Sequence, residues 1–212
     1  MKDIAIYGAG GFGREVMTLI NDINSVENNW NLLGFFDDGR ATSEIVNGYP
    51  ILGGMDELNQ WSKPLSIIIA IGSPSAKEKI VTEINNDNVD YPSLSHPTLI
   101  IGNKNSVNIG KGCIICANNI ITTESIIGNF VTLNLACTIG HDTKIGDYCS
   151  FMPASNISGE VTIDKGVYCG TGTKIINQLH IGQWATIGAG AVVIRDVPDG
   201  AVVAGVPAKA IK

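Results

Sequence analysis

The sequence predicts a small α/β domain followed by an all-β prism, and three observations carry that expectation. Between Ile109 and Val193 an aliphatic residue returns at nearly every sixth position. Upstream of this, short apolar runs alternate with segments of helical spacing. A glycine-rich turn, Gly8-Ala9-Gly10-Gly11-Phe12-Gly13, separates the first apolar run from the first helical segment. The expected division is residues 1–95 for the α/β part and 96–212 for the prism.

In chain order, residues 3–7 read as a buried strand, and residues 14–26 as a helix with Val16, Leu19, Ile20 and Ile23 on one face. Residues 32–36 are a second strand ending in Asp37-Asp38, residues 55–61 a short helix, 66–71 a third strand running into Gly72, and 76–84 another helix. This alternation implies a parallel βαβ sheet. The glycine-rich turn stands where a G-x-G-x-x-G pattern has meaning, between a strand and a helix with an acidic pair closing the next strand. There the backbone can approach a phosphate at the helix N-terminus, and Asp37 or Asp38 can accept from a ribose. The plain alternative is a tight turn with no ligand. Only one such half precedes the repeats, which suits a mononucleotide carrier better than a dinucleotide.

Residues 90–97 form the link, with Pro92 and Pro97 excluding helix and His96 reading as a linker residue. Residues 99–108 are an irregular first coil, since Ile101 stands eight positions before Ile109. From Ile109 onward, thirteen of fifteen column positions are Ile, Leu or Val, the exceptions being Phe151 and Cys169. Four residues after each column position comes a mostly small residue, such as Cys113, Ser125, Cys137 or Ala185. A period of six is neither helical nor simple strand alternation and belongs to the β-helix repeats. Three short strands make a triangular coil of eighteen residues, and coils stack at about 4.8 Å, so five coils span roughly 24 Å.

A chain of 212 residues, 44% hydrophobic and 16% charged, is long and apolar enough for a sizeable core. A net charge of −6 argues against a nucleic-acid partner. With no signal-like apolar segment and no run of eighteen apolar residues, no membrane partner and a cytoplasmic location are expected. All five cysteines lie in the repeats, three of them at the small-residue position, so they read as packing elements and no metal site is expected.

Residues eighteen apart stack on adjacent coils. His141, two positions after Ile139, therefore faces solvent beneath Gly159, then Asn177 and Arg195, with an open groove expected above it. Taken alone it is an exposed surface histidine.

The repeats resemble those of left-handed parallel β-helix acyltransferases. More closely, the segment from Leu133 to Asp142, containing Gly140-His141-Asp142, resembles the bacterial family that joins a Rossmann-like half domain to a hexapeptide prism. That family holds N-acetyltransferases of UDP-linked 4-amino sugars and sialic acid O-acetyltransferases. Gly8 to Gly13, Phe35-Phe36-Asp37-Asp38, Ile69-Ala70-Ile71-Gly72, His96-Pro97 and Gly205-Val206-Pro207-Ala208-Lys209 extend the resemblance over almost the whole chain.

The resemblance implies a homotrimeric acetyltransferase that uses acetyl-CoA and a nucleotide-activated amino sugar, with His141 as general base and Asp142 as its acidic neighbour. It implies that Gly10, Gly11, Asp37, Asp38 and Gly72 hold the nucleotide of the acceptor. It also implies that Ser150, Gly159, Thr171 and Ala189 contact acetyl-CoA. Phe12 and Ser150 depart from the pattern, standing where relatives carry His. Stacking adds Arg195, about 14 Å above His141, and the tail adds Lys209, as cations for a CoA phosphate. Three alternatives stay open: O-acetylation of sialic acid or another sugar, a zinc hydratase needing three histidines, and a purely structural prism.

Overall fold

The computed structural model describes residues 1–211. The N-terminal domain runs β1 (Lys2–Tyr7), α1 (Gly11–Val26), β2 (Trp30–Phe36), β3 (Ile45–Val46), β4 (Tyr49–Gly53), α2 (Met55–Asn59), β5 (Leu65–Ile69), α3 (Pro74–Glu83) and β6 (Val89–Asp90). Its sheet has the order β3-β4-β2-β1-β5-β6, parallel except for the β3–β4 pair. All five residues of β5 are buried, as a strand covered on both faces requires. One face packs Ile4, Ile6 and Phe35 against Val16, Leu19 and Ile20 of α1. The other packs Ala5, Tyr7, Phe36 and Ile67 around Leu58.

The β3–β4 hairpin is absent from the expected elements. Its turn is Asn47-Gly48, with φ of 49° and 87°. Two successive positive φ values make the tight turn that matches strand twist, and Asn-Gly is the pair that adopts it most readily.

The prism is a left-handed parallel β-solenoid with three faces. The first face has eight strands, from Leu94–Ser95 through Thr132–Leu133 and Ser150–Phe151 to Lys209–Ala210. The second has six and includes Thr138–Ile139, and the third has five and includes Lys144–Ile145. Neighbouring strands are eighteen residues apart, as in Ile115 opposite Leu133 and Leu133 opposite Phe151. Every column residue from Ile115 to Val193 is buried, and Cys113, Ser125, Cys137, Thr143, Cys149, Ser155, Thr173, Ala185 and Ala191 are all 0% exposed. Large aliphatics thus fill the axis, and the corners admit only what fits beside them.

In the first coil, Ile100–Ile101 and Leu94–Ser95 pair at an offset of twenty residues, whereas Asn108–Ile109 already pairs at eighteen. The two extra residues lie in the turn between Ile101 and Asn108. Leu94–Ser95 is therefore the first rung of the prism, just inside the stretch expected to belong to the N-terminal part.

That domain lies against the first face. The outward residues Leu94, Ile114, Thr132 and Ser150 are 0–1% exposed there, while Ile120 and Ile126 on the other faces are 38% and 47% exposed. Ile114 and Cys116 join the same apolar cluster as α1.

Candidate active site

His141 sits at the corner between the second and third faces, between the strands Thr138–Ile139 and Lys144–Ile145. Corner backbone here is left-handed, with φ of 57° at Asp142, a conformation that Asp tolerates better than most residues. The turn is tied to its neighbours, Asp142 N donating to Thr123 O at 3.2 Å and Glu160 N to His141 O at 2.8 Å. His141 Nδ1 lies 2.8 Å from Asp142 Oδ2, and both side chains are 56% exposed. An ionised carboxylate only accepts, so the proton belongs on Nδ1 and Nε2 keeps its lone pair.

Gly159, one coil further, is buried, and a Cβ added there would overlap His141 Nε2. The groove expected above His141 is filled by the imidazole itself. Gly159 makes room for the histidine and does not offer an open surface to the cofactor. Arg195, two coils beyond Gly159 at the same corner, is exposed.

The other residues expected at the cofactor scatter. Thr171 and Ala189 are exposed at a different corner, between the first and second faces. Lys209 is exposed in the last strand, antiparallel to Val202–Ala204. Ser150 is 0% exposed, and its hydroxyl lies 3.1 Å from Lys77 Nζ, so it cannot touch acetyl-CoA. Ser150 is lost to the cofactor because the N-terminal domain covers the first face, which repeat spacing does not reveal.

Lys77 gives no signal in the sequence, because a lysine on an amphipathic helix reads as solvated. It is 1% exposed, and its Nζ reaches across the domain junction to Phe130 O at 2.8 Å, Thr132 Oγ1 at 2.9 Å and Cys149 O at 3.4 Å besides Ser150. Burial with uncharged partners pushes its pKa down to about 7.

In the N-terminal domain, Gly10, Gly11 and Gly72 lie just beyond the carboxyl ends of the neighbouring parallel strands β1 and β5, where an open parallel sheet leaves a crevice. A Cβ at any of the three would meet nothing within 4 Å. Gly10 caps α1 without a side-chain hydrogen bond, leaving first-turn N–H groups for an anion. Gly13 has a different duty: a Cβ there would overlap Gly8 O, so only glycine lets α1 lie so close to β1.

Both acidic residues are already engaged. Asp37 accepts from Ala9 N at 2.8 Å and Gly39 N at 2.9 Å. Asp38 accepts from Met55 N at 2.8 Å and from the Tyr7 hydroxyl. Burial first, and then Asp38, raises the Tyr7 pKa and keeps that phenol a donor. The pair braces the crevice walls, and a ribose could use only the second lone pairs.

Burial pushes the thiols of Cys137 and Cys149 up to about 11 and 12, which removes them as thiolate nucleophiles at neutral pH. Among the described residues no group of three or more His, Cys, Asp or Glu converges, and no helix is long and apolar enough to cross a membrane.

An N-terminal domain and a prism joined in this way recur together in known proteins. The family model described as the PglD N-terminal domain matches residues 3–84. GDP-perosamine N-acetyltransferase of Escherichia coli O157:H7 is 32% identical over 218 residues, covering 100% of this chain and 97% of its own. This chain belongs to the PglD-type left-handed β-helix acetyltransferases.

WeeI from Acinetobacter baumannii AYE superposes with a TM-score of 0.89 at 33% identity, covering 100% of both chains. A histidine-to-asparagine mutant of perosamine N-acetyltransferase from Caulobacter crescentus, in complex with CoA and GDP-perosamine, superposes with a TM-score of 0.90 at 25% identity. It covers 100% of this chain and 98% of its own. The protein is an acetyl-CoA-dependent N-acetyltransferase of nucleotide-activated amino sugars.

Proposed function

We propose that His141 of one chain is the general base for an acceptor held in the Gly10–Gly11–Gly72 crevice of another, within a homotrimer. The observation that carries this reading is the placement of the two parts. The N-terminal domain lies on the first face, and His141 occupies the corner opposite that face, so within one chain the prism stands between base and crevice. A neighbouring chain removes the obstacle. It also lets Thr171 and Ala189 of one prism share a groove with His141 and Arg195 of the next, which one chain keeps apart.

The chemistry needs little more. The sugar amine attacks the thioester carbonyl carbon of acetyl-CoA, a C–N bond forms, and the C–S bond breaks as the tetrahedral intermediate collapses. His141 Nε2 takes the proton from the amine nitrogen and returns it to the departing CoA thiolate. Asp142 holds the ring with Nε2 outward and offsets the charge it acquires. A 4-amino sugar on GDP, as bound by the Caulobacter crescentus relative, is the first acceptor to try, followed by its UDP counterpart.

The test has two arms. CoA release is followed with GDP-perosamine, a UDP-4-amino sugar and free sialic acid, and the amino sugars are expected to turn over while sialic acid does not. Then His141→Ala is mixed with Gly10→Trp, which plugs the crevice without touching the fold, since Gly10 has open space and no positive φ. Activity should reappear on refolding the two inactive variants together. If it does not, base and crevice act within one chain.

A further inference from the structure

Lys77 grips both ends of a single coil of the prism. Its Nζ lies 2.8 Å from Phe130 O and 2.9 Å from Thr132 Oγ1, where the coil begins, and 3.4 Å from Cys149 O and 3.1 Å from Ser150 Oγ, where it closes. Thr132 and Ser150 are paired neighbours on the first face. His141 belongs to that same coil, nine residues after Thr132 and eight before Cys149. At its backbone end Lys77 belongs to the first turn of α3, where its N–H donates to Ser73 O at 2.9 Å, and Ser73 directly follows Gly72 of the crevice. We infer that Lys77 is a positioning residue for acetyl transfer, fixing the height of the acceptor crevice against the coil that carries the base. This role rests on the reading of crevice and base given above.

A face built of repeated rungs does not choose a register by itself. Rungs recur about every 4.8 Å, and apolar contact, being non-directional, discriminates weakly between one rung and the next. Hydrogen bonds discriminate. Thr132 and Ser150 set two buried hydroxyls side by side, whereas the rung before them carries Ile114 and the rung after them Tyr168. Moved one rung either way, the amine would keep one hydroxyl and meet Ile114 or the Tyr168 ring in place of the other. A buried amine short of partners is penalised, where a methionine of similar length would be indifferent. Buried polar groups that set register in helical assemblies work in the same way. Glu78, next on α3, pairs with Lys165 of the following coil, but both are partly exposed, and a solvated pair holds position loosely.

Height is the coordinate that matters, because a three-fold rotation moves nothing along its own axis. The crevice of one chain therefore stands at the same height relative to its own His141 and to its neighbour's, and a link inside one chain aligns acceptor and base across the interface.

Lys77→Met keeps the length of the side chain and removes all four contacts. Turnover is followed with GDP-perosamine or the UDP-4-amino sugar, whichever the wild type uses, and calorimetry reports the affinity for the matching nucleoside diphosphate. Both are run at a temperature where melts show the proteins folded. The expected result is a kcat about tenfold lower or more, as a misplacement of about 1 Å far from the chemistry can produce, with nucleotide affinity and the KM for acetyl-CoA within about twofold. A kcat within about twofold of wild type, whatever the melting temperature, would reduce Lys77 to a fastener between domains. A loss of nucleotide affinity matching the loss in kcat would place the damage in the crevice and overturn the assignment as well. If Lys77→Met does not fold, Thr132→Val with Ser150→Ala keeps the lysine and its two carbonyls while removing the hydroxyls that mark the rung, and the same split of kcat against affinity decides. Wild-type protein that binds neither GDP nor UDP would instead sink the reading of the crevice, an outcome visible before any variant is made.

Discussion

The corner bearing His141 and the face beneath the N-terminal domain are built from the same six-residue unit, yet they treat polar groups in opposite ways. At the corner, His141 and Asp142 are each 56% exposed and bond chiefly to one another. On the covered face, Thr132, Ser150 and the intruding Lys77 are at 0–1%, and their polar atoms are used up across the junction. The backbone hardly differs between the two places. What differs is the cover: the repeat supplies equivalent positions, and the domain laid on one face decides which of them can meet a substrate.

Removing the corner's imidazole should show the contrast most strongly. His141→Ala is expected to lower turnover by about 10²- to 10⁴-fold, roughly 3–5 kcal/mol of barrier, with the melting temperature nearly unchanged because the side chain supports nothing beneath it. Turnover in a CoA-release assay and a thermal melt on the same sample check both halves. Near-normal turnover would end the general-base assignment.

Gly159→Val attacks the same corner without touching the histidine's chemistry. The new side chain would occupy the space of His141 Nε2, so the imidazole must swing away from Asp142. A loss of about 10²-fold in kcat is expected, since a displacement of about 1 Å can cost that much, with the KM for acetyl-CoA changed less. The reverse split, KM moving and kcat constant, would restore Gly159 to the cofactor surface.

Asp142→Asn is milder. The amide oxygen can still accept from Nδ1, so orientation survives while the charge that favours the imidazolium is lost. About a tenfold drop in kcat is expected, with Asp142→Ala lower still. Equal activities for the Asn and Ala variants would show that charge matters here and orientation does not.

The prism was legible because its packing is local: Ile115 to Val193 can only fill the axis, and Cys113 or Ala185 can only fit a corner. Counting eighteen residues from His141 to Gly159 placed the histidine on an outward corner, but its role as base was implied only by the family resemblance. The same count passes through Phe130, Tyr148, Gly166 and Trp184, and the 5.3 Å stacking of Phe130 on Tyr148 was thus within reach of the sequence. Asn47-Gly48 likewise announced the β3–β4 hairpin. By contrast, nothing in the residues themselves distinguishes Ser150 from an exposed serine or Lys77 from a solvated lysine. Their environment is made by contacts 53 to 73 residues away in the chain, and those depend on how two domains meet.

Lys77 gives the covered face its own test, the smallest in size. Its Nζ has two carbonyls and two hydroxyls for partners, and all four are uncharged. A neutral amine fits them: two N–H groups serve the carbonyls of Phe130 and Cys149, and the lone pair accepts from a hydroxyl. The unfolded chain holds its proton up to the ordinary lysine value of 10.5, while the folded protein releases it near 7. Between these values the unfolded state binds more protons, so stability from this group rises with pH, and the penalty of burying the charge is complete only below about pH 7. Wild type should therefore gain about 1 kcal/mol relative to Lys77→Met between pH 7 and pH 8. Paired urea melts at the two pH values measure it. A constant difference would mean that the lysine keeps its charge when folded, and a difference of opposite sign that a carboxylate reaches it in solution.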